Sequence, residues 1–259
     1  SKDQDLLPNY FAKYVDSMLN STVPVAYTPQ SFVLGGGRKH FIRANVWIPL
    51  RFASTLRSQE EKIFSYRQAH DHNFSFMTIG HFGPGYETDL WQYNPSTVQG
   101  LVGERVELEP LGREQLSLGR AILFREKTDV HIQLPPESLS ISLNVMVLRS
   151  PSKLVDQFFF DTDKACISGL PLMATPHKRS SIIELVSHVA NENIFGALDD
   201  LARGAKSWRI RAAALKGCVI SPSGCLVDKQ LLLDSAFSDP DSRIRQLATS
   251  LQSTLHSIA

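Results

Sequence analysis

The run from Tyr66 to Tyr93, YRQAHDHNFSFMTIGHFGPGYETDLWQY, sets two histidines two positions apart in an apolar, aromatic stretch that ends in a Gly-Pro-Gly turn. Residues i and i+2 of a β-strand point to the same side. His70 and His72 therefore share a face, and Phe74 and Phe76 continue the pattern. Two imidazoles aimed into a closed, aromatic interior form half of a metal site. His131, in the strand-like run TDVHIQL, supplies a third. Three neutral imidazoles on neighbouring strands hold one transition metal and leave positions open for substrate or oxygen.

The surroundings of this run are strand-rich. Candidate strands cover 40–48, 63–70, 72–82, 86–93, 104–109, 120–125, 129–134 and 139–148, with GPG, NPS, LGR, LGR and LPPE between them. Many short strands with regular turn signals point to a sandwich or barrel rather than a parallel sheet. The predicted class is mainly β with α: a small antiparallel β-barrel over 31–150. The strand 139–148 alternates cleanly. Ile141, Leu143, Val145 and Val147 share one face, and Ser140, Ser142, Asn144 and Met146 the other. The polar face either lines a cavity or meets solvent.

Residues 1–30 read as an N-terminal helical segment, with Leu7, Phe11, Val15, Met18 and Leu19 at helical spacing over 5–20 and Pro8 in the first turn. Gly35-Gly36-Gly37 reads as a tight turn; no helix with Lys-Ser/Thr follows it, which excludes a phosphate loop. The remainder, 151–259, is expected to form a helical subdomain, with helices near 181–190, 193–203, 207–217, 228–236 and 240–257. In the last of these Ile244, Leu247, Leu251 and Leu255 form one apolar stripe. With SWRIRAAALKG it weakly resembles helical repeats of the HEAT type, in fewer copies than an array needs.

Composition excludes several classes. A net charge of +1 gives no electrostatic case for nucleic acid or an anionic membrane. No apolar run reaches the roughly 18–20 residues of a membrane span, and the opening SKDQDLLPNY lacks the basic start and apolar middle of a signal peptide. The three cysteines, Cys166, Cys218 and Cys225, form no CxxC and are expected as reduced thiols of a cytoplasmic protein.

Several polar residues have the parity to meet the histidines. Tyr66 and Gln68 share the face of His70 and His72; Asp129 and Gln133 share that of His131, as does Arg125, which suits bidentate capture of a carboxylate. Arg43 and Arg67 are weaker versions of the same idea. Glu87 follows the turn and stands as a further ligand or as a partner orienting an imidazole, with Trp91 and Tyr93 on its face. His81 is a rival ligand that alternation sends outward unless a bulge intervenes.

The His-x-His strand, the short apolar strand, the GPG turn and the later histidine resemble the cupin superfamily over roughly residues 60–148. His70 and His72 match the histidines of its first motif and Gly83 its closing glycine; Phe76 stands at the glutamate ligand and Phe64 at the leading glycine. In the second motif Gly119 and His131 match. Arg125, Lys127 and Pro135 replace its proline, glycine and asparagine, and one residue is inserted before the histidine. The resemblance implies a double-stranded β-helix, a homodimer and, with the glutamate lost, the three-histidine iron site of cupin dioxygenases.

The function expected is an Fe(II)-dependent oxygenase or dioxygenase that takes O2 and a small, polar, amino-acid-like metabolite. Tyr66, Gln68, Glu87, Arg125 and Gln133 stand around its metal. The alternatives are a zinc, manganese or nickel isomerase or lyase, or a non-catalytic ligand-binding cupin with a helical interaction module. A 2-oxoglutarate oxygenase fits less well, because Asp71 has the wrong parity to join the histidines.

Overall fold

The structure, a computed structural model, describes residues 30–51, 55–147, 155–171 and 175–258, with 5, 6, 8, 9 and 12 near the N-terminus. These fall into two compact units, a β unit that continues to Gly169 and a helical unit beyond it that also takes in Val155 and Asp156. Of the predicted N-terminal helix, Leu6, Pro8, Asn9 and Ala12 are helical; the rest lies outside the described residues.

Among the described residues, eleven strands form two antiparallel sheets. One has the order β1 (Ser31–Gly36), β2 (His40–Trp47), β9 (Ser140–Val147), β4 (Phe76–Phe82), β7 (Ala121–Phe124). The other runs β11 (Cys166–Gly169), β10 (Phe159–Asp161), β3 (Ala69–His70), β8 (Asp129–Gln133), β5 (Glu87–Gln92), β6 (Glu109–Gln115). The sheets face each other: the Phe124 ring of the first lies 4.4 Å from the His131 ring of the second, and Phe76 lies 4.7 Å from His72. The predicted barrel is thus two facing sheets, neither closing on itself among the described residues.

Three differences from the sequence reading have local causes. The predicted strand 63–70 begins with the end of a helix, α1 (Thr55–Phe64), and Ser65 and Arg67 take left-handed backbone (φ 54° and 58°), so the strand proper is reduced to Ala69 and His70, with Tyr66 making an isolated bridge to Gln133. Of the predicted strand 104–109, residues 104–108 are a loop touching the sheet at Arg105, opposite Cys166, and only Glu109 is in a strand. The strand that follows it, β6, is exposed along nearly its whole length and carries Glu109, Arg113 and Glu114. It is an edge, kept charged as edges are, and therefore shows no apolar alternation. The sheet also extends past residue 150, because β10 pairs with β3 and β11 with β10.

In β9 the polar face is the inner one. Ser140, Ser142, Asn144 and Met146 are buried, whereas Val147 is exposed. Buried hydroxyls and amides need partners, and they have them. Trp47 Nε1 donates to Ser142 Oγ (3.0 Å), Thr78 Oγ1 to Asn144 Oδ1 (2.8 Å) and Ser142 Oγ to the same oxygen (3.2 Å). The Gly-Pro-Gly turn requires its glycines: Gly83 and Gly85 have φ of 77° and 83°, and a Cβ on either would strike the Leu139 or Leu116 carbonyl.

The helical unit contains α2 (Thr175–Ser187), α3 (Glu192–Gly204), α4 (Trp208–Ile220), α5 (Leu226–Ala236) and α6 (Ser242–Ile258). Asn191 caps α3 by accepting from Ile194 N at 3.0 Å. Leu198, Ile210, Leu215, Leu233, Ile244 and Leu251 contribute to one core, and the stripe read from the sequence is its α6 side. The cysteines are free, and burial pushes the Cys218 thiol up to about 12. No helix among the described residues is long and apolar enough to cross a membrane.

Candidate metal centre

β3 is only two residues long, yet its register builds the site. His70 pairs directly with His131 on β8, and His131 with Leu90 on β5. Directly opposed residues share a face with Cβ atoms about 5 Å apart. His72, two positions past His70, joins them as the chain leaves the sheet. The ligand atoms of the three histidines lie within 4.8 Å of one another. His72 Nε2 and His131 Nε2 are 2.9 Å apart, a separation that suits two adjacent ligands of one ion with bonds of about 2.1 Å.

Electrostatics favour the same use. All three imidazoles are held below their ordinary pKa, first by burial. For His72 and His131 the neighbouring imidazoles add to this, and for His72 so does the charge of Arg43. They are neutral at neutral pH, as ligands must be. His70 Nδ1 donates to the Gln68 carbonyl oxygen at 2.8 Å, which leaves Nε2 as its ligand atom. His72 Nδ1 and His131 Nδ1 are buried without a hydrogen-bond partner. The donor set therefore fits a transition metal. Phe76, at the position of the cupin glutamate, is stacked on Phe124 (4.8 Å) and walls the triad with Phe74, 5.1 Å from His72.

The other residues singled out in the sequence fall into two groups. Gln133 is beside the triad: its Nε2 lies 3.4 Å from His131 Nε2, and its buried Oε1 has no partner. Gln68 acts through its backbone. Tyr66 is buried, but its hydroxyl is spent on Ile48, donating to the carbonyl (2.9 Å) and accepting from the amide (3.0 Å); the left-handed Arg67 between it and the histidines breaks the parity that linked them. Glu87 is exposed and paired with Arg113 at 3.2 Å, because Thr88 and Leu90, not Glu87, form the inner face of β5. Arg125 is half-exposed and held by Asp129. His81 sits in a bulge between Gly80 and Phe82 and, though buried, is not part of the histidine cluster.

A second cluster escaped the sequence reading. Asp71 is fully buried on the far side of the ligand segment. It accepts from Tyr93 Oη (2.7 Å) and Phe158 N (2.6 Å) and pairs with Lys127 at 3.2 Å. Lys127 lies 3.7 Å over the Phe158 ring, and its amide donates to the His72 carbonyl at 2.8 Å. A buried acid between two ligands was the available signal.

No protein-family model matches the chain, and no curated protein does. Solved structures do. Hydroquinone 1,2-dioxygenase from Sphingomonas sp. TTNP3 is 12% identical over 48% of this chain and 69% of its own, with a TM-score of 0.31. A cupin domain from Bordetella pertussis is 10% identical over 48% of this chain and 99% of its own, with a TM-score of 0.26. The polyketide cyclase RemF from Streptomyces resistomycificus is 10% identical over 63% of this chain and 89% of its own, with a TM-score of 0.28. The chain's own geometry is two facing antiparallel sheets with three buried histidines that could hold a metal ion, one pair of them on adjacent strands, as expected from the resemblance read in the sequence.

Proposed function

We propose that the chain is a metal-dependent enzyme, an Fe(II) oxygenase or dioxygenase acting on a small, polar, amino-acid-like metabolite. The observation that carries this reading is a ligand set made only of neutral imidazoles, with a phenylalanine at the position where a carboxylate would add negative charge. Ferrous iron held by His70, His72 and His131 would supply a redox-active cation with positions left for oxygen and a chelating anion. The protein's own groups do the rest. Burial keeps the imidazoles unprotonated. The Gln68 carbonyl fixes the tautomer and orientation of His70. Phe74, Phe76 and Phe124 exclude water from the reacting groups. The Gln133 carboxamide stands beside His131, where it can orient a polar substituent of the substrate.

The test is reconstitution. Metal-stripped protein reloaded anaerobically with ferrous iron should consume oxygen with members of a panel of amino acids and small acids, and zinc should not restore this. His72→Ala should lose most metal binding while its circular dichroism keeps the β signature; full occupancy in that variant would sink the assignment. Equal turnover with zinc without oxygen would move the reading to a Lewis-acid isomerase or lyase. A protein that binds small acids but no metal would be a ligand sensor.

A further inference from the structure

The helical unit is a stack of helices whose outer faces are apolar. α4 sits in its middle, packed against α2, α3 and α6. α2 packs on α3 and α4, and α5 mainly on α6, so α2 and α5 are its outer helices. In such a stack each layer covers its neighbours, and an end layer needs a polar outer face to stay soluble alone. Here neither end has one. α2 exposes Ile182 (60%) and Leu185, with Val189 just past its end, one stripe at i, i+3 and i+7. α5 exposes Val227 and Leu231 (57%), four apart and on one stripe with Asp234. Exposed apolar patches of this kind mark contact surfaces.

The two ends are complementary in shape and in charge. Beside the α2 stripe runs a groove of about 450 Å³, floored by the buried Ile183 and Ile210 and edged by Leu201, Arg179 and Lys206. Neither cation is in an ion pair among the described residues. The α5 stripe carries the opposite sign: Asp234 accepts from Gln230 Nε2 at 2.8 Å and has no cationic partner among the described residues. A groove between two helices receives the side-chain ridge of a third. Ile183 of α2 and Leu233 of α5 are fixed in one core, so the α5 ridge cannot turn onto the groove of its own chain. A second copy can present it.

We propose that copies of this chain dock head to tail through their helical units. Val227 and Leu231 of one copy enter the α2–α3 groove of the next, and Asp234 meets Arg179 and Lys206 at its edge. The two patches differ, so the contact is heterologous. It leaves a free groove on one copy and a free ridge on the other, and growth continues unless a ring closes.

The test is sedimentation velocity of the full chain over a range of concentrations, in which the wild-type mass should rise past that of a dimer. Ile182→Asp and Leu231→Asp change exposed side chains, so each should keep the wild-type circular dichroism. Each should weaken self-association about 100-fold, because an aspartate is too short to carry its charge out of the contact. Mixed, the two variants should form a 1:1 dimer that grows no further: the first keeps an intact ridge and the second an intact groove. Asp234→Lys should weaken association about fivefold, and adding Arg179→Glu and Lys206→Glu in the same chain should restore it. A monomer at every concentration, a mass fixed at the dimer, growth unchanged in both aspartate variants, or a mixture of them that stays monomeric would overturn the proposal. If either aspartate variant misfolds, the charge reversal decides: no loss in Asp234→Lys, or no recovery in the triple variant, overturns it.

Discussion

Burial makes the three histidines chemically useful and also makes them a liability in acid. Their folded-state pKa values lie below the ordinary histidine value of 6.5. Below pH 6.5 the unfolded chain therefore takes up protons that the folded chain refuses. Stability is complete above that value and falls as the pH drops toward the folded-state values. We expect the urea midpoint of the metal-free protein to decline between pH 7 and 5, and His131→Phe to decline less; parallel profiles would contradict the assignment. Phe76 offers a second residue-scale test. The carboxylate introduced by Phe76→Glu would be buried among neutral imidazoles and phenyl rings, a cost of about 3–5 kcal/mol for an uncompensated buried charge. Thermal denaturation should show that loss without metal and a recovery with zinc. A loss of the same size with and without zinc would place the introduced carboxylate away from the ion.

At the scale of elements, a two-residue strand is too short to hold the two proposed ligands, His70 and His72, in place by its own ladder. Asp71 ties the segment to the chain entering β10 through Phe158 N, and to Lys127, whose amide in turn holds the His72 carbonyl. Partners that orient ligands in this way are worth about 10- to 100-fold in metal affinity. Asp71→Asn keeps the shape and removes the charge, so we expect cobalt(II) to bind that much more weakly with an altered visible spectrum. Tyr93→Phe, which removes one of the bonds to Asp71, should show a smaller change of the same kind. Unchanged cobalt affinity and spectrum in Asp71→Asn would reduce the cluster to a support of the fold.

At the scale of the whole molecule, the two units have separate cores among the described residues. Leu233 is fully buried in the helical one. Leu233→Ala should cost about 2–5 kcal/mol there, lowering the thermal transition of the helices while cobalt uptake at 25 °C keeps its wild-type affinity; metal loss before helix loss would refute this separation.

Periodicity fixes what a strand or helix does with its own side chains, and the sequence by itself carried that much. It placed β2, β4, β5, β7, β8 and β9 and all five helices from α2 to α6, the turn at Gly83–Gly85 and the shared face of His70 and His72. It could not place β6, whose exposed edge needs no apolar face, or β10, which is three residues long and defined by its partner. It read Glu87 and Arg125 as site residues, because parity names the residues on one side without saying which side is covered. Tertiary structure made that choice. Pairing His70 against His131 and setting Phe76 and Phe124 over them decided which face is interior. Those contacts join residues far apart in the chain, and only the packing of two sheets brings them together.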